Sequence, residues 1–166
     1  MKPAVVVLLL TLSPVVLAEP RVGQKAPHVA LRDREGALFD LARAKQPVVL
    51  DFFRTDCKPC RRSLPVLSKL HARRGKQLKV VLVALLEEEE GEEKLERFLR
   101  ATPLPFTVLV DRYGLAAKKY VVRGGTARIP ALFVIDRKGV LRARYGGEPK
   151  KELARKLDRL CADLAR

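Results

Sequence analysis

Cys57 and Cys60 stand three residues apart in a Cys-Lys-Pro-Cys motif, just behind the largely apolar run Val48-Val49-Leu50-Asp51-Phe52-Phe53. A short apolar run bounded by polar residues predicts a buried strand. Cysteines at this spacing at the start of a helix put both sulfurs on one face, within reach of a disulfide across a single turn. A thiolate at Cys57 also meets unpaired N–H groups and the positive end of the helix dipole, and the thiolate is the reactive form of the side chain. A strand followed by C-x-x-C and a helix therefore reads as a redox site. Taken alone, the motif leaves open one half of a zinc site or a permanent structural disulfide.

Length and composition narrow the setting. The 166 residues suffice for one domain with a proper core, and 48% hydrophobic content argues for ordinary folding. Three cysteines are too few for a disulfide-stapled scaffold. Residues 4–18 (AVVVLLLTLSPVVLA) carry no charge, follow Lys2 and end in Val16-Leu17-Ala18, the pattern of a secretory signal peptide with cleavage expected after Ala18. The run falls short of the roughly 20 apolar residues of a spanning helix and is interrupted by Pro14, although an uncleaved membrane anchor is the alternative. No cysteine stands at the cleavage position, so a lipid anchor is not indicated. Export would make the protein periplasmic or otherwise extracytoplasmic, where a disulfide is thermodynamically accessible.

The formal net charge is +15, which reads as a solvated basic surface or as adhesion to anionic lipid or acidic substrate proteins. Aromatic content of 5%, the absence of tryptophan and the lack of a recognition motif argue against nucleic acid.

Segment 19–25 reads as a linker into a domain over 26–166. Turn residues at 32–36 predict an N-terminal hairpin. Four apolar, β-branched runs predict buried strands at 48–53, 78–86, 107–110 and 131–135, with helices at 58–74, 92–101 and 113–120 between them. Arg137-Lys138-Gly139 predicts a turn into a strand at 140–145, followed by an amphipathic helix over 148–166 whose inner face carries Leu153, Leu157, Leu160, Cys161 and Leu164. Strands alternating with helices, then a late tight turn, predict an α/β fold with an antiparallel hairpin at one edge of the sheet.

With these segments in place, the chain resembles thioredoxin-fold proteins of the TlpA/ResA type, exported thiol–disulfide oxidoreductases within the AhpC/TSA-redoxin superfamily. The resemblance runs from about Val22 to Leu164. It is carried by residues 49–60, by Pro65 eight residues after Cys57, by Arg128-Ile129-Pro130-Ala131-Leu132-Phe133-Val134-Ile135-Asp136 with Lys138-Gly139, and by the helix and strand around 92–111. It implies a three-layer α/β/α sandwich around a mixed sheet, with an N-terminal hairpin extension and a TlpA-type αβ insertion. One position departs from the pattern: Asp56 stands where the family usually has tryptophan before its first cysteine.

The resemblance implies that Cys57 is the nucleophile, with a pKa below the free-thiol value of roughly 8.5, and that Cys60 is the resolving thiol. Pro130 is expected in the cis form, with Ile129 offering backbone groups to an extended substrate. Asp51, six residues before Cys57, matches a buried acid that accepts a proton from the second cysteine; an acid reaching solvent at a strand edge is the plainer reading. Asp56 is expected to border the substrate and to favour basic or polar partners. Glu87 or Glu88, within the acidic run 87–93, would lie near the active-site edge if the run is more than a solvated loop. His28 and His71 read as surface residues, and Cys161 as a core residue. No metal and no cofactor is expected. Partners are protein thiols or disulfides and a membrane-bound electron donor, the direction being mainly reductive, as in the maturation of c-type cytochromes, and the state monomeric.

The other readings are a peroxiredoxin-like thiol peroxidase, a copper-carrying module of the same fold and a polyanion binder with a vestigial redox site. The peroxidase would need a threonine three residues before its cysteine, and Thr55 is two before. The copper module would need a suitably placed histidine beside soft ligands.

Overall fold

The run 48–53 forms a strand buried at every position, β3 (Val48–Phe53), paired on both sides. The computed structural model describes residues 19–86, 91–148 and 150–164. In chain order its elements are β1 (Ala30–Arg32), β2 (Leu38–Asp40), β3, α1 (Lys58–Arg74), β4 (Lys79–Leu85), α2 (Gly91–Ala101), β5 (Thr107–Asp111), α3 (Leu115–Tyr120), β6 (Val122–Arg123), β7 (Thr126–Ala127), β8 (Ala131–Ile135), β9 (Leu141–Tyr145) and α4 (Lys150–Leu164). The main sheet runs β5-β4-β3-β8-β9; β3 is parallel to β4 and antiparallel to β8, so the sheet is mixed.

Alternation along β3 divides the core in two. Val49 and Phe53 face a layer of α1, α2 and α4, packing with Leu64, Leu67, Leu95, Leu99, Leu157 and Cys161. Leu50 and Phe52 face the opposite layer, with Val29, Phe39, Ala116, Ala117 and Tyr120. Tyr120 stacks within about 5 Å of the Phe52 and Phe133 rings, 5.2 and 4.9 Å between centroids, and its hydroxyl donates to the Pro27 carbonyl at 2.6 Å. This is the three-layer architecture expected, with the β1–β2 hairpin on the α3 side. Asp51 has the parity of Val49 and Phe53, so its carboxyl points toward α1 and α4.

The strands expected at 48–53 and 131–135 and the helix expected at 58–74 match to the residue. Elsewhere the boundaries move for local reasons. The helix expected from 113 begins at Leu115, because Gly114 sits at φ +63°. Asp111, just before the turn, supplies the cap: its carboxylate accepts the N–H groups of Ala116 at 3.3 Å and Ala117 at 2.8 Å. The terminal helix begins at Lys150 rather than 148. The small hairpin β6–β7 was not expected, although Gly124-Gly125, both at positive φ, is the usual signal for one.

Segment 19–25, expected as a linker, lies along β9. Gly23 N–H donates to the Leu141 carbonyl at 2.8 Å, and Leu141 N–H donates to the Gln24 carbonyl at 2.9 Å. Glu19 reaches Arg123 at 3.2 Å and Arg144 at 3.0 Å. The leader expected at 1–18 lies outside the described residues, and no described helix is long and apolar enough to cross a membrane.

Asp111 is 2% exposed and satisfies two buried donors, so its loss leaves both unpaired. Asp111→Ala is expected to lower the unfolding free energy by about 2 kcal/mol in urea titrations, with Asp111→Asn intermediate. Wild-type stability in the alanine variant would show that the cap contributes nothing.

Candidate active site

Helix α1 begins immediately after Cys57, which serves as its N-cap: the Cys57 sulfur accepts the backbone N–H of Cys60 at 3.2 Å. Pro59 lies in the first turn, where its missing N–H costs no helical bond. The two cysteines form a disulfide with Cα atoms 5.3 Å apart. Their exposures differ in a way that assigns roles. Cys57 is half-buried and can be approached, whereas Cys60, on the inner face of α1, is fully enclosed in the core. Asp56, beside Cys57, is gripped by Arg54 through two hydrogen bonds, Nε to Oδ1 at 3.1 Å and Nη2 to Oδ2 at 2.9 Å. Its charge is answered within the chain, so an external basic partner must compete with a bidentate guanidinium.

The second wall of the site is the turn into β8. The Ile129–Pro130 bond is cis. Pairing of Phe52 with Ala131 sets Pro130 just past the end of the β3–β8 ladder, on the side where β3 runs toward Cys57. Ile129 and Cys57 pack against the same core cluster. Gly146, after β9, presses on this turn: a Cβ there would stand 2.8 Å from the Pro130 carbonyl oxygen, closer than any side chain tolerates.

Beneath these walls opens a cavity of about 590 Å³, faced by Pro59, Pro130, Leu132, Tyr145 and Leu153, with Asp51 and Ser63 also lining it. Asp51 is 1% exposed. Among the described residues its one side-chain partner is the Ser63 hydroxyl, 3.2 Å from Oδ2 and also 2.7 Å from the Cys60 carbonyl. A hydroxyl has a single proton to donate. When Asp51 is protonated it can donate to Ser63 while Ser63 donates to Cys60; when Asp51 is ionised the two acceptors compete. Burial penalises the carboxylate and raises the Asp51 pKa to about 7, the Ser63 hydrogen bond opposing that rise in part.

Asp51, Cys57, Cys60, Ile129 and Pro130 are thus gathered at one end of the sheet, while Asp56 turns to Arg54. Glu87 and Glu88 lie outside the described residues. Ser63, Gly146 and Tyr145 escaped sequence reasoning, and Leu153, read from the sequence as a core residue of the last helix, also lines the cavity; a serine on the inner face of α1, between Cys60 and Leu64, was the available signal. Burial pushes the Cys161 thiol up to about 11, which suits a core residue. His28 is exposed and hydrogen-bonded to Asp40 at 2.8 Å. His71 departs from the surface reading: it is half-buried, its ring 6.1 Å from that of Phe106, because the last turns of α1 pack over that loop. Among the described residues no group of three or more His, Cys, Asp or Glu side chains is arranged to hold a metal ion.

A buried acid whose folded pKa is raised binds its proton more tightly in the native than in the unfolded chain. Stability is therefore full below the unfolded value of 3.8 and declines as pH rises toward about 7. At about 1.4 kcal/mol per pKa unit, the ceiling on this loss is roughly 4 kcal/mol. Urea titrations of the oxidised protein are expected to show Asp51→Asn gaining on the wild type between pH 4 and pH 8. Parallel pH curves would mean that Asp51 reaches solvent.

Residues 22–144 match the AhpC/TSA family. The thioredoxin-like protein YneN of Bacillus subtilis is 34% identical over 138 residues, 82% of this chain and 78% of the relative. The thiol-disulfide oxidoreductase ResA of Bacillus thuringiensis subsp. konkukian is 31% identical over 132 residues, 79% of this chain and 73% of the relative. A crystal structure of a candidate thiol:disulfide interchange protein DsbE from Chlorobium tepidum superposes with a TM-score of 0.75 at 29% identity, covering 89% of this chain and all of the other. The matched span holds β3, the cysteine pair, α1 and the cis-proline turn, and with both relatives aligned over most of their length, the chain belongs to the AhpC/TSA family.

Proposed function

We propose that this protein is a thiol–disulfide oxidoreductase that reduces disulfides of exported proteins through Cys57 and Cys60. One observation carries the reading: an approachable cysteine at a helix N-terminus is disulfide-bonded to an enclosed one, beside a cis-proline turn. In the reduced enzyme the Cys57 thiolate attacks one sulfur of a substrate disulfide, forming a Cys57–substrate disulfide and releasing the other substrate sulfur as a thiolate. The Cys60 thiolate then attacks the Cys57 sulfur and expels the remaining substrate thiolate. The Cys57–Cys60 bond closes, two electrons have passed to the substrate, and each released thiolate takes up a proton.

Cys60 must lose its proton to act, and it is shielded from water. Asp51, with a pKa raised to about 7, is poised to receive that proton near neutral pH, its carboxylate linked through the Ser63 hydroxyl to the Cys60 backbone carbonyl. Ile129 and Pro130 would align an extended substrate segment along the turn before β8. Asp56 borders the nucleophile and, held by Arg54, serves as a neutralised polar edge in place of an aromatic one. Residues 1–18 would direct the 26–166 domain across the membrane. A membrane-bound donor of two electrons would then restore the dithiol, and the enzyme would work as a monomer.

The reduction potential of the pair, read by thiol tagging in graded dithiol buffers, is expected near the thioredoxin value of about −270 mV; a value near −120 mV would recast the protein as an oxidant. Cys60→Ser is expected to accumulate a covalent Cys57–substrate disulfide visible on non-reducing gels, and Cys57→Ser to abolish it. Single-turnover oxidation of the reduced protein is expected to slow about 10- to 100-fold in Asp51→Asn, with loss of the pH dependence near 7. An unchanged profile would remove Asp51 from the mechanism.

A further inference from the structure

We infer that the cavity beside the cysteine pair selects acidic substrate segments, with Arg62, Lys150 and Lys151 as the selecting residues. The inference rests on the dithiol-exchange reading and supplies the chemistry of its substrate. All three cations line the cavity and are exposed, and among the described residues none of them has an acidic partner. Each belongs to a helix that also walls the cavity, Arg62 to α1 and the two lysines to the first turn of α4.

Among the described residues the acids near the rim are enclosed or face a cation of their own. Asp51 is enclosed at the cavity base, Glu148 stands on the lining with its carboxylate 3.9 Å from Lys156, and Asp56 is held by Arg54. Lys58 and Arg61, both exposed in the first turn of α1, extend the positive field toward Cys57. An occupant must therefore offer aliphatic surface to Pro130, Leu132 and Leu153 and carboxylates to the rim. A disulfide-bearing segment flanked by Glu or Asp does both, whereas a Lys-flanked one is repelled. A second copy of this chain, with its net charge of +15, is disfavoured on the same ground.

The test uses the reduced full chain and three short peptides with one internal disulfide, identical except for Glu, Gln or Lys at the flanking positions. At low ionic strength the Glu peptide is expected to be reduced about tenfold faster than the Lys peptide, as several exposed ion pairs acting together would give. The ratio is expected to shrink toward unity at roughly 0.5 M salt. The triple variant Arg62→Gln/Lys150→Gln/Lys151→Gln is expected to abolish the preference. Lys45→Gln/Lys76→Gln/Arg137→Gln, which removes the same charge far from the cavity, is expected to keep it. Equal Glu and Lys rates in the wild type, a preference surviving in the cavity variant, or one lost alike in both variants would each overturn the assignment. If the wild type reduces none of the three peptides, the exchange reading itself falls, and the assignment with it.

Discussion

Strand β3 is hydrogen-bonded on both edges and buried on both faces, and this double confinement organises the site. Its parallel partner β4 registers against all six of its residues and its antiparallel partner β8 against Val48–Phe52. The chain therefore leaves β3 toward Cys57 at the same end at which Pro130 delivers it into β8. Two segments some seventy positions apart in sequence become neighbours because one strand cannot slip without turning its apolar side chains into the wrong layer. Gly146 then closes the third side, its bare backbone pressed against Pro130.

The same confinement creates a conflict at Asp51. A position that packing would give to an aliphatic residue holds an acid, enclosed and hydrogen-bonded to Ser63. Burying a carboxylate with one neutral hydrogen bond is unfavourable, and the molecule meets the difficulty by raising its proton affinity rather than by pairing it with a cation. An acid with its pKa raised to about 7, hydrogen-bonded to a serine of the cysteine helix, is the feature on which the proton-transfer proposal rests.

Around the opening, electrostatics divides differently from composition. Asp56 is absorbed by Arg54, whereas among the described residues no acid pairs with Arg62, Lys150 or Lys151 on the cavity rim. Exposed charges contribute little to folding. Gathered on the rim of an apolar cavity, they bias which segments dock, so part of the chain's basicity has a defined position beside the reactive sulfur.

What the sequence determined by itself was local. The boundaries of β3, α1 and β8 follow from apolar runs, a capping cysteine and early proline, signals that neighbouring residues settle among themselves. The redox character of Cys57 and Cys60 was legible from spacing and from their place before a helix. The helix start at Leu115 was less so, because it turns on the backbone angle of Gly114, and the β6–β7 hairpin went unread although Gly124-Gly125 marks it. Only the tertiary structure decided which cysteine is enclosed, that Ser63 joins Asp51 to the cysteine helix, that Gly146 supports Pro130, and that cations from α1 and α4 share one rim. Each depends on contacts between segments far apart in the chain, and no local pattern encodes a distance that strand pairing and helix packing alone impose.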